Sequence, residues 1–291
     1  MRKGGSAVAN MRAIRNRIKS IESTRQITRS MRMVAASKLR RTQESWKQIA
    51  DFSRISREVL RKLCGSMARI SNPLMQTREG NRVCLVLFVG NRGLCGAYNS
   101  SIVKAAEERI AAEGEEIFLV VCGRWGREQI SSLDRPVLRV FDTLSDNPTA
   151  EEAGELTEYL KSLFLDGETD RIELLYEHYR SALTQEPVVL KLLPMEGETG
   201  GDSLDVIFEP DPETLLDRLS ELVLLNTVHA VLLEAKTCEH TARMTAMSAA
   251  SDNTDELIAK LSLKLNHARQ AAITTEISEI VGGSNALQQA K

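Results

Sequence analysis

All seven prolines of this 291-residue chain lie between positions 73 and 212 (Pro73, Pro136, Pro148, Pro187, Pro194, Pro210, Pro212). Proline inside a helix costs about 3 kcal/mol. The two proline-free flanks can therefore hold helices of unusual length, and the middle cannot. Periodicity must decide whether they do. In the first flank Asn10 reads as an N-cap, and Met11, Ile14, Ile18 and Ile21 follow at 3-4-3 spacing, the seam of a coiled coil. The seam turns polar at Arg25 and Thr28, resumes around Met31 and Val34, and returns as Ile49, Phe52, Ile55, Val59 and Leu63. A helix over 10–63 would run roughly 80 Å.

The second flank opens with Asp211 as N-cap and Pro212 at the first helical position, where proline's missing N–H does no harm. It reads helical to Val281, ahead of Gly282-Gly283, with Ile258, Leu261, Leu265, Ala268 and Ala272 on one rhythm. Amphipathic helices this long need a partner, and each flank supplies one for the other. If both leave the same side of the middle segment they run antiparallel, and the second projects past the first by roughly 30 Å. That tip, around 271–287, carries only Glu276 and Glu279 as charges.

Between the flanks, strand patterns appear at Arg82–Val89, Glu116–Cys122, Val137–Phe141, Arg171–Tyr179, Pro187–Leu193 and Leu204–Phe208. Helical stretches at Ser100–Ala112, Gly126–Ser132 and Ala150–Leu165 separate the early ones. Such alternation implies a mostly parallel sheet with covered faces, and the last strands, lacking helices between them, suggest an antiparallel edge. The domains expected are thus 10–63, 74–209 and 211–285.

The net charge of −2 hides an asymmetry: residues 1–63 hold 17 Lys and Arg against 4 Asp and Glu, whereas 142–217 hold 20 acidic and 4 basic side chains. A dipolar chain of this kind suits a docked macromolecule better than a charged small substrate. The cations Arg25, Arg29, Arg32, Lys38, Arg40 and Arg41 keep to no single face and lack the interleaved aromatics of single-strand binders. Five cysteines form no CxxC pair and read as reduced core thiols of a cytoplasmic protein. Cys238 and His240, two apart, point about 200° apart on a helix and make a poor metal pair. No 18-residue apolar run is present.

The most enzyme-like feature is Gly90-Asn91-Arg92-Gly93-Leu94-Cys95-Gly96 after the first strand. Its glycines are spaced 3 and 3 rather than the 2 and 3 of GxGxxG, and no carboxylate follows the second strand at Cys122-Gly123 to hold a ribose. There is no GxxxxGK[ST] and no defensible acid/base pair; nothing in the sequence places Cys95 beside His178. The expectation is no catalytic site, no cofactor and no metal.

Four blocks, in order along the whole chain, resemble the gamma subunit of F-type ATP synthases. They are Ile27-Thr28-Arg29-Ser30-Met31-Arg32-Met33-Val34-Ala35-Ala36-Ser37-Lys38-Leu39-Arg40; Arg92-Gly93-Leu94-Cys95-Gly96 with Asn99; Glu209-Pro210-Asp211-Pro212 with Leu215-Leu216; and Glu239-His240-Arg243-Met244-Met247 through Asp252-Asn253, Asn266, Ala268-Arg269-Gln270-Ala271, Ile273-Thr274, Glu276 and Glu279-Ile280-Val281. The resemblance implies an antiparallel coiled coil of the terminal helices around a central Rossmann-like α/β domain, acting as a non-catalytic rotor. Its implied partners are the alpha and beta subunits of the catalytic ring, the epsilon subunit and the membrane c-ring. The implied location is peripheral, on the cytoplasmic face of a bacterial cell membrane. Arg269 and Gln270 would meet a beta-subunit loop and Met31 the beta lever. Ile273, Ile277 and Ile280 would sit in an apolar collar, Glu209 near the c-ring, and Arg32, Lys38 and Arg40 in the acidic surroundings of the ring. Asn91 where an Asp is usual, Thr275 for Lys or Gln, and Leu265 for Tyr depart from the pattern, and about nine extra residues precede Asn10. The dithiol insertion of the chloroplast form is absent. A coiled-coil scaffold binding nucleic acid or anionic membrane, and an α/β reductase with helical arms, are the alternatives. The first predicts salt-sensitive binding, the second a nucleotide at Gly90–Gly96.

Overall fold

The computed structural model describes residues 3–66, 72–111, 114–125, 127–196 and 211–289. The strand expected at Leu204–Phe208, and Glu209, lie outside them. The chain divides into two compact units, one of residues 1–34 with 245–291 and one of residues 35–244.

The elements, in order, are α1 (Lys3–Ser66), β1 (Arg82–Phe88), α2 (Tyr98–Ile110), β2 (Glu116–Cys122), α3 (Arg127–Ser131), β3 (Val137–Phe141), α4 (Ala150–Leu165), β4 (Arg171–Tyr179), β5 (Gln185–Leu193) and α5 (Pro212–Gln289). The α/β class, the two long terminal helices and the central parallel sheet are therefore as the sequence implies. Both helices overrun their expected ends. Asn10 lies inside α1 rather than capping it, and α5 continues through Gly282-Gly283. Glycine in a helix costs only about 1 kcal/mol, too little to stop a helix where no proline follows.

The larger unit is a five-stranded sheet of order β3-β2-β1-β4-β5, parallel except for the antiparallel edge β5. One face buries Val86, Phe88, Val120, Ile172 and Leu174 under Leu156 and Leu160 of α4 and Leu224, Val228 and Leu232 of α5. The other buries Leu85, Leu87, Leu119 and Val121 under Ile102 of α2 and Ile130 of α3. A strand covered on both sides reads as a near-continuous apolar run, as β1 does; β4 is buried along most of its length too, but carries Glu173 and Glu177 in that run. The same reason makes every residue of α5 from Val231 to Thr241 buried. Thr149 starts α4 with a capping box, its hydroxyl accepting from Glu152 N while the Glu152 carboxylate accepts from Thr149 N. Asp211 caps α5 as expected, its carboxylate accepting from Thr214 N at 2.9 Å.

Along α1 in this unit the seam differs from the expected one. Phe52, Ile55 and Val59 are exposed, and the buried positions are Ala35, Thr42, Ser53, Ser56, Leu60, Leu63 and Cys64. The 3-4 rhythm is kept but filled with small hydroxyl residues, so hydrophobicity alone points to the wrong face. Burying them costs little where the hydroxyl returns to its own helix, as Thr42 does to Lys38 O and Ser56 to Phe52 O.

Glu177 of β4 is 2% exposed and its Oε2 has no hydrogen-bond partner. Burial raises its carboxyl pKa, and a neighbouring Ser101 only partly opposes this. A raised native pKa favours folding at low pH and works against it as pH rises through that value. Glu177→Gln is accordingly expected to stabilise the chain by about 1 kcal/mol at neutral pH, with a smaller gain toward pH 5. Urea melts at the two pH values check this.

The smaller unit is a two-helix antiparallel rod. Met11, Ile14, Ile18 and Ile21 are half-buried at their 3-4-3 spacing, facing Ile258, Leu261, Leu265 and Ala268 in the same state. Asp255 accepts from Arg25 Nη1 and Arg29 Nη2, both at 2.9 Å, and Arg29 also reaches Ser251. The polar break in the seam is thus a register pin, since two cations flank one carboxylate. Counting back about 22 residues from Arg25 to Lys3 matches α5 up to about residue 277, leaving roughly 12 residues, or ~18 Å, of α5 beyond. The overhang is shorter than expected because α1 begins at Lys3.

Candidate functional site

In an open parallel sheet, ligands enter at the carboxyl ends of the strands where the strand order reverses. Here that point lies between β1 and β4, beside the loop Gly90–Gly96. The loop is a tight connection: Gly90 N donates to Asn99 Oδ1 at 2.8 Å, Leu94 and Gly96 have positive φ, and Tyr98 Oη donates to Phe88 O. Asn91 Nδ2 donates to Leu144 O at 2.8 Å, tying this loop to the one after β3.

The crevice itself is filled by α5. Glu239, 2% exposed, accepts from Lys236 Nζ at 2.8 Å and Arg243 Nη2 at 2.7 Å, and its carboxyl lies 3.1 Å from where a side chain at Gly90 would begin. Arg243 also donates to Arg92 O at 3.2 Å and Gly93 O at 3.5 Å. Burial works to raise the Glu239 pKa, but Lys236 and Arg243 outweigh it and hold the carboxyl below its ordinary value. A buried carboxylate stands where a phosphate would have to bind. One turn earlier, Glu234 accepts from Tyr179 N at 3.0 Å and pairs with His178 Nδ1 at 2.7 Å.

The remaining catalytic candidates are also engaged. Cys95 bonds to Asn99 and Arg92 O, and burial pushes its thiol pKa up. His178 is turned to Glu234. Cys238 reaches Glu177 O and His240 reaches Asp146 O, in different directions, and no metal-ligating cluster occurs among the described residues. A recess of about 620 Å³ at the ends of β2 and β3 is lined by Val121, Trp125, Ile130 and Val140, with Arg124 and Asp142 as its titratable groups. No helix among the described residues is long and apolar enough to cross a membrane.

The sequence-derived contact residues are spread over both units. Met31 is half-buried and Arg32 exposed in the rod; Arg269 and Gln270 lie exposed on its other helix, followed by Ile273, Ile277 and Ile280 at 48, 56 and 69% exposure. In the larger unit the Arg40 side chain is 84% exposed and pairs with Glu44 of its own helix. Lys38 differs. Its Nζ lies 2.5 Å from Asp146 Oδ2, so its charge is already taken within this chain. That pair escaped sequence reading because Asp146 sits 108 residues away in a loop.

A family model described as ATP synthase matches residues 10–287. The ATP synthase gamma chain of Desulfitobacterium hafniense is 41% identical over 97% of this chain and 100% of its own length. The chain belongs to the ATP synthase gamma family. The gamma chain of Moorella thermoacetica is 40% identical over the same share of both chains. Among solved structures, a chain of the Euglena gracilis mitochondrial ATP synthase rotor in rotational state 1 aligns with a TM-score of 0.64 at 18% identity, covering 91% of this chain and 99% of its own. A chain from the OSCP/F1/c-ring assembly of the same enzyme in rotational state 3 aligns at 0.69 and 19% identity, covering 97% and 96%. At that identity the likeness is one of fold, and it places this gamma family member's helices and sheet in a known architecture.

Proposed function

We propose that this chain is the non-catalytic central shaft of a rotary F-type ATP synthase, joining ion flow through the membrane c-ring to ATP synthesis or hydrolysis in the alpha and beta subunits. The observation that carries the reading is a sheet whose ligand crevice is closed by its own helix, combined with a rod that ends in bare, weakly charged helix. Such a chain is built to be held by other proteins. The epsilon subunit and the c-ring are its further partners, and the complex keeps it peripheral to the membrane, at the cytoplasmic face in the bacterial arrangement. In place of chemistry the shaft supplies asymmetry. Unequal contacts with three catalytic subunits hold them in different states, and turning exchanges the states.

Met31 and Arg32, Arg40, Arg269 and Gln270, and the isoleucines at 273, 277 and 280 are proposed as surfaces turned to partners, because each is wholly or partly open in the free chain. Lys38 is left out for its bond to Asp146. Glu209, outside the described residues, is proposed near the c-ring on the strength of the junction motif alone. The test is to supply the chain to membranes whose ATP synthase lacks gamma. ATP-driven ion pumping should return, whereas the purified chain alone should hydrolyse no ATP. Hydrolysis by the lone chain, or membranes that stay inactive with the chain incorporated, would remove the proposal.

A further inference from the structure

The larger unit holds a connected set of polar contacts that reaches from α1 to α5. It begins on α1, where Lys38 Nζ meets Asp146 Oδ2 at 2.5 Å. The backbone oxygen of the same Asp146 lies 3.2 Å from His240 Nε2 on α5. That carbonyl can only accept, so Nε2 carries the proton and Nδ1 is free to accept from Arg243 Nη1 at 3.4 Å. Arg243 then holds Glu239, Arg92 O and Gly93 O. The loops after β1 and β3 are cross-tied by Asn91 and Leu144 O. Two long helices and two loops of the sheet are thereby joined in one unbroken series of directional bonds, buried at its inner end, with His240 at 1% and Glu239 at 2% exposure.

Apolar packing of α5 on the sheet resists separation but is non-directional, so it fixes the helix's angle less sharply than directional bonds do. Charge-assisted hydrogen bonds do resist, because displacement leaves buried charges unpaired at a cost of several kcal/mol. Resting on the rotor reading above, we propose that the series Lys38, Asp146, His240, Arg243, Glu239 is the torque joint that locks α1 and α5 to the central domain. The five are positioning residues. They hold the shaft's angle against the domain and touch no substrate. The Lys38 and Asp146 side chains are 38% and 46% exposed, and an exposed pair adds little to folding. The outer link can therefore be altered without unfolding the chain.

The test uses assembled enzyme in membrane vesicles, with ATP hydrolysis and ATP-driven ion pumping measured on the same preparation. Lys38→Glu and Asp146→Lys, each alone, should lower the ions pumped per ATP hydrolysed by about twofold or more while hydrolysis per assembled complex stays within about twofold, and the double exchange should restore the ratio, as a pairwise coupling requires. A merely structural role would lower assembly, with pumping and hydrolysis falling together. Unchanged ratios in both single variants, a proportional loss of both activities, or a double exchange no better than the singles, would overturn the joint. If the unaltered chain restores no pumping at all, the rotor reading fails and takes the joint with it; restoration by that chain keeps the two failures apart.

Discussion

A chain carrying Ile273→Asp, Ile277→Asp and Ile280→Asp is expected to couple ATP hydrolysis to ion pumping far worse than a chain that simply ends at Ile280. The three isoleucines sit at 4-3 spacing on one face of α5 and are about half exposed or more in the free chain, with Val281 beside them. An apolar face of this kind without a covering element marks an interaction surface. An apolar sleeve around it would give van der Waals fit with few directional bonds to break on turning. Carboxylates introduced there would be buried without partners, each at several kcal/mol. Since 1.36 kcal/mol is tenfold in rate, even a fraction of that predicts a loss of about tenfold or more. Truncation removes contacts and places only the terminal carboxylate at the tip, where the open chain end leaves it in water, and Arg269 and Gln270 remain, so a loss of about twofold is expected. Coupled pumping and rotation-linked hydrolysis are compared in the two enzymes. An Asp variant that outperforms the truncation places the tip in water.

What could be read in the sequence follows from which contacts are local. The proline gap, the Asp211-Pro212 start and the strand-helix alternation are local signals, and the start of α5, β1 to β4 and α4 appear within a few residues of where those signals put them. The antiparallel edge β5 was legible because no helix pattern separates it from β4. The seam of α1 was half legible. Met11 to Ile21 obey the apolar rule, but beyond Ala35 the buried face is made of Thr42, Ser53 and Ser56. Their hydroxyls count as polar on any scale, whereas two of them satisfy themselves on their own helix.

At the crevice the sequence offered only negative signals. Glycine spacing and the missing ribose carboxylate argued against a nucleotide at Gly90–Gly96. Nothing local could show that Glu239 and Arg243, some 150 residues on, fill the space. The +13 balance of residues 1–63 pointed outward to an acidic partner. Part of that charge is instead used inside the chain, where Arg25 and Arg29 share Asp255 and Lys38 takes Asp146. Distant ion pairs leave no periodic trace, which is why net charge overstates what a partner sees.

Gly123→Ala is expected to be among the most damaging single changes outside the core. Gly123 directly follows β2 with φ at +124°, a backbone conformation that a residue with a Cβ rarely adopts. An added Cβ would stand 2.2 Å from Val89 O, 2.8 Å from Val89 C and 3.0 Å from Gly90 O, all backbone atoms with no rotamer to yield. The surrounding main chain is fixed on three sides: Val89 N donates to Cys122 O, Gly123 N to Phe141 O and Trp125 N to Gly90 O, at 2.8 to 2.9 Å. Relief must come from parting the ends of β1 and β2 or from straining the turn. Backbone strain of 1–3 kcal/mol and a comparable overpacking cost together predict a loss of about 3 kcal/mol or more. The shift would also carry Arg92 O and Gly93 O away from Arg243, so any protein that survives should show weakened coupling as well. Gly154→Ala is the control. It lies in α4 with nothing within 4 Å of the new methyl, and alanine's better helix propensity should make it neutral or stabilising by about 0.5–1 kcal/mol. Urea melts of the two variants settle the matter, and a Gly123→Ala midpoint equal to that of the unaltered chain would mean that the β1 and β2 ends are not held as tightly as their hydrogen bonds imply.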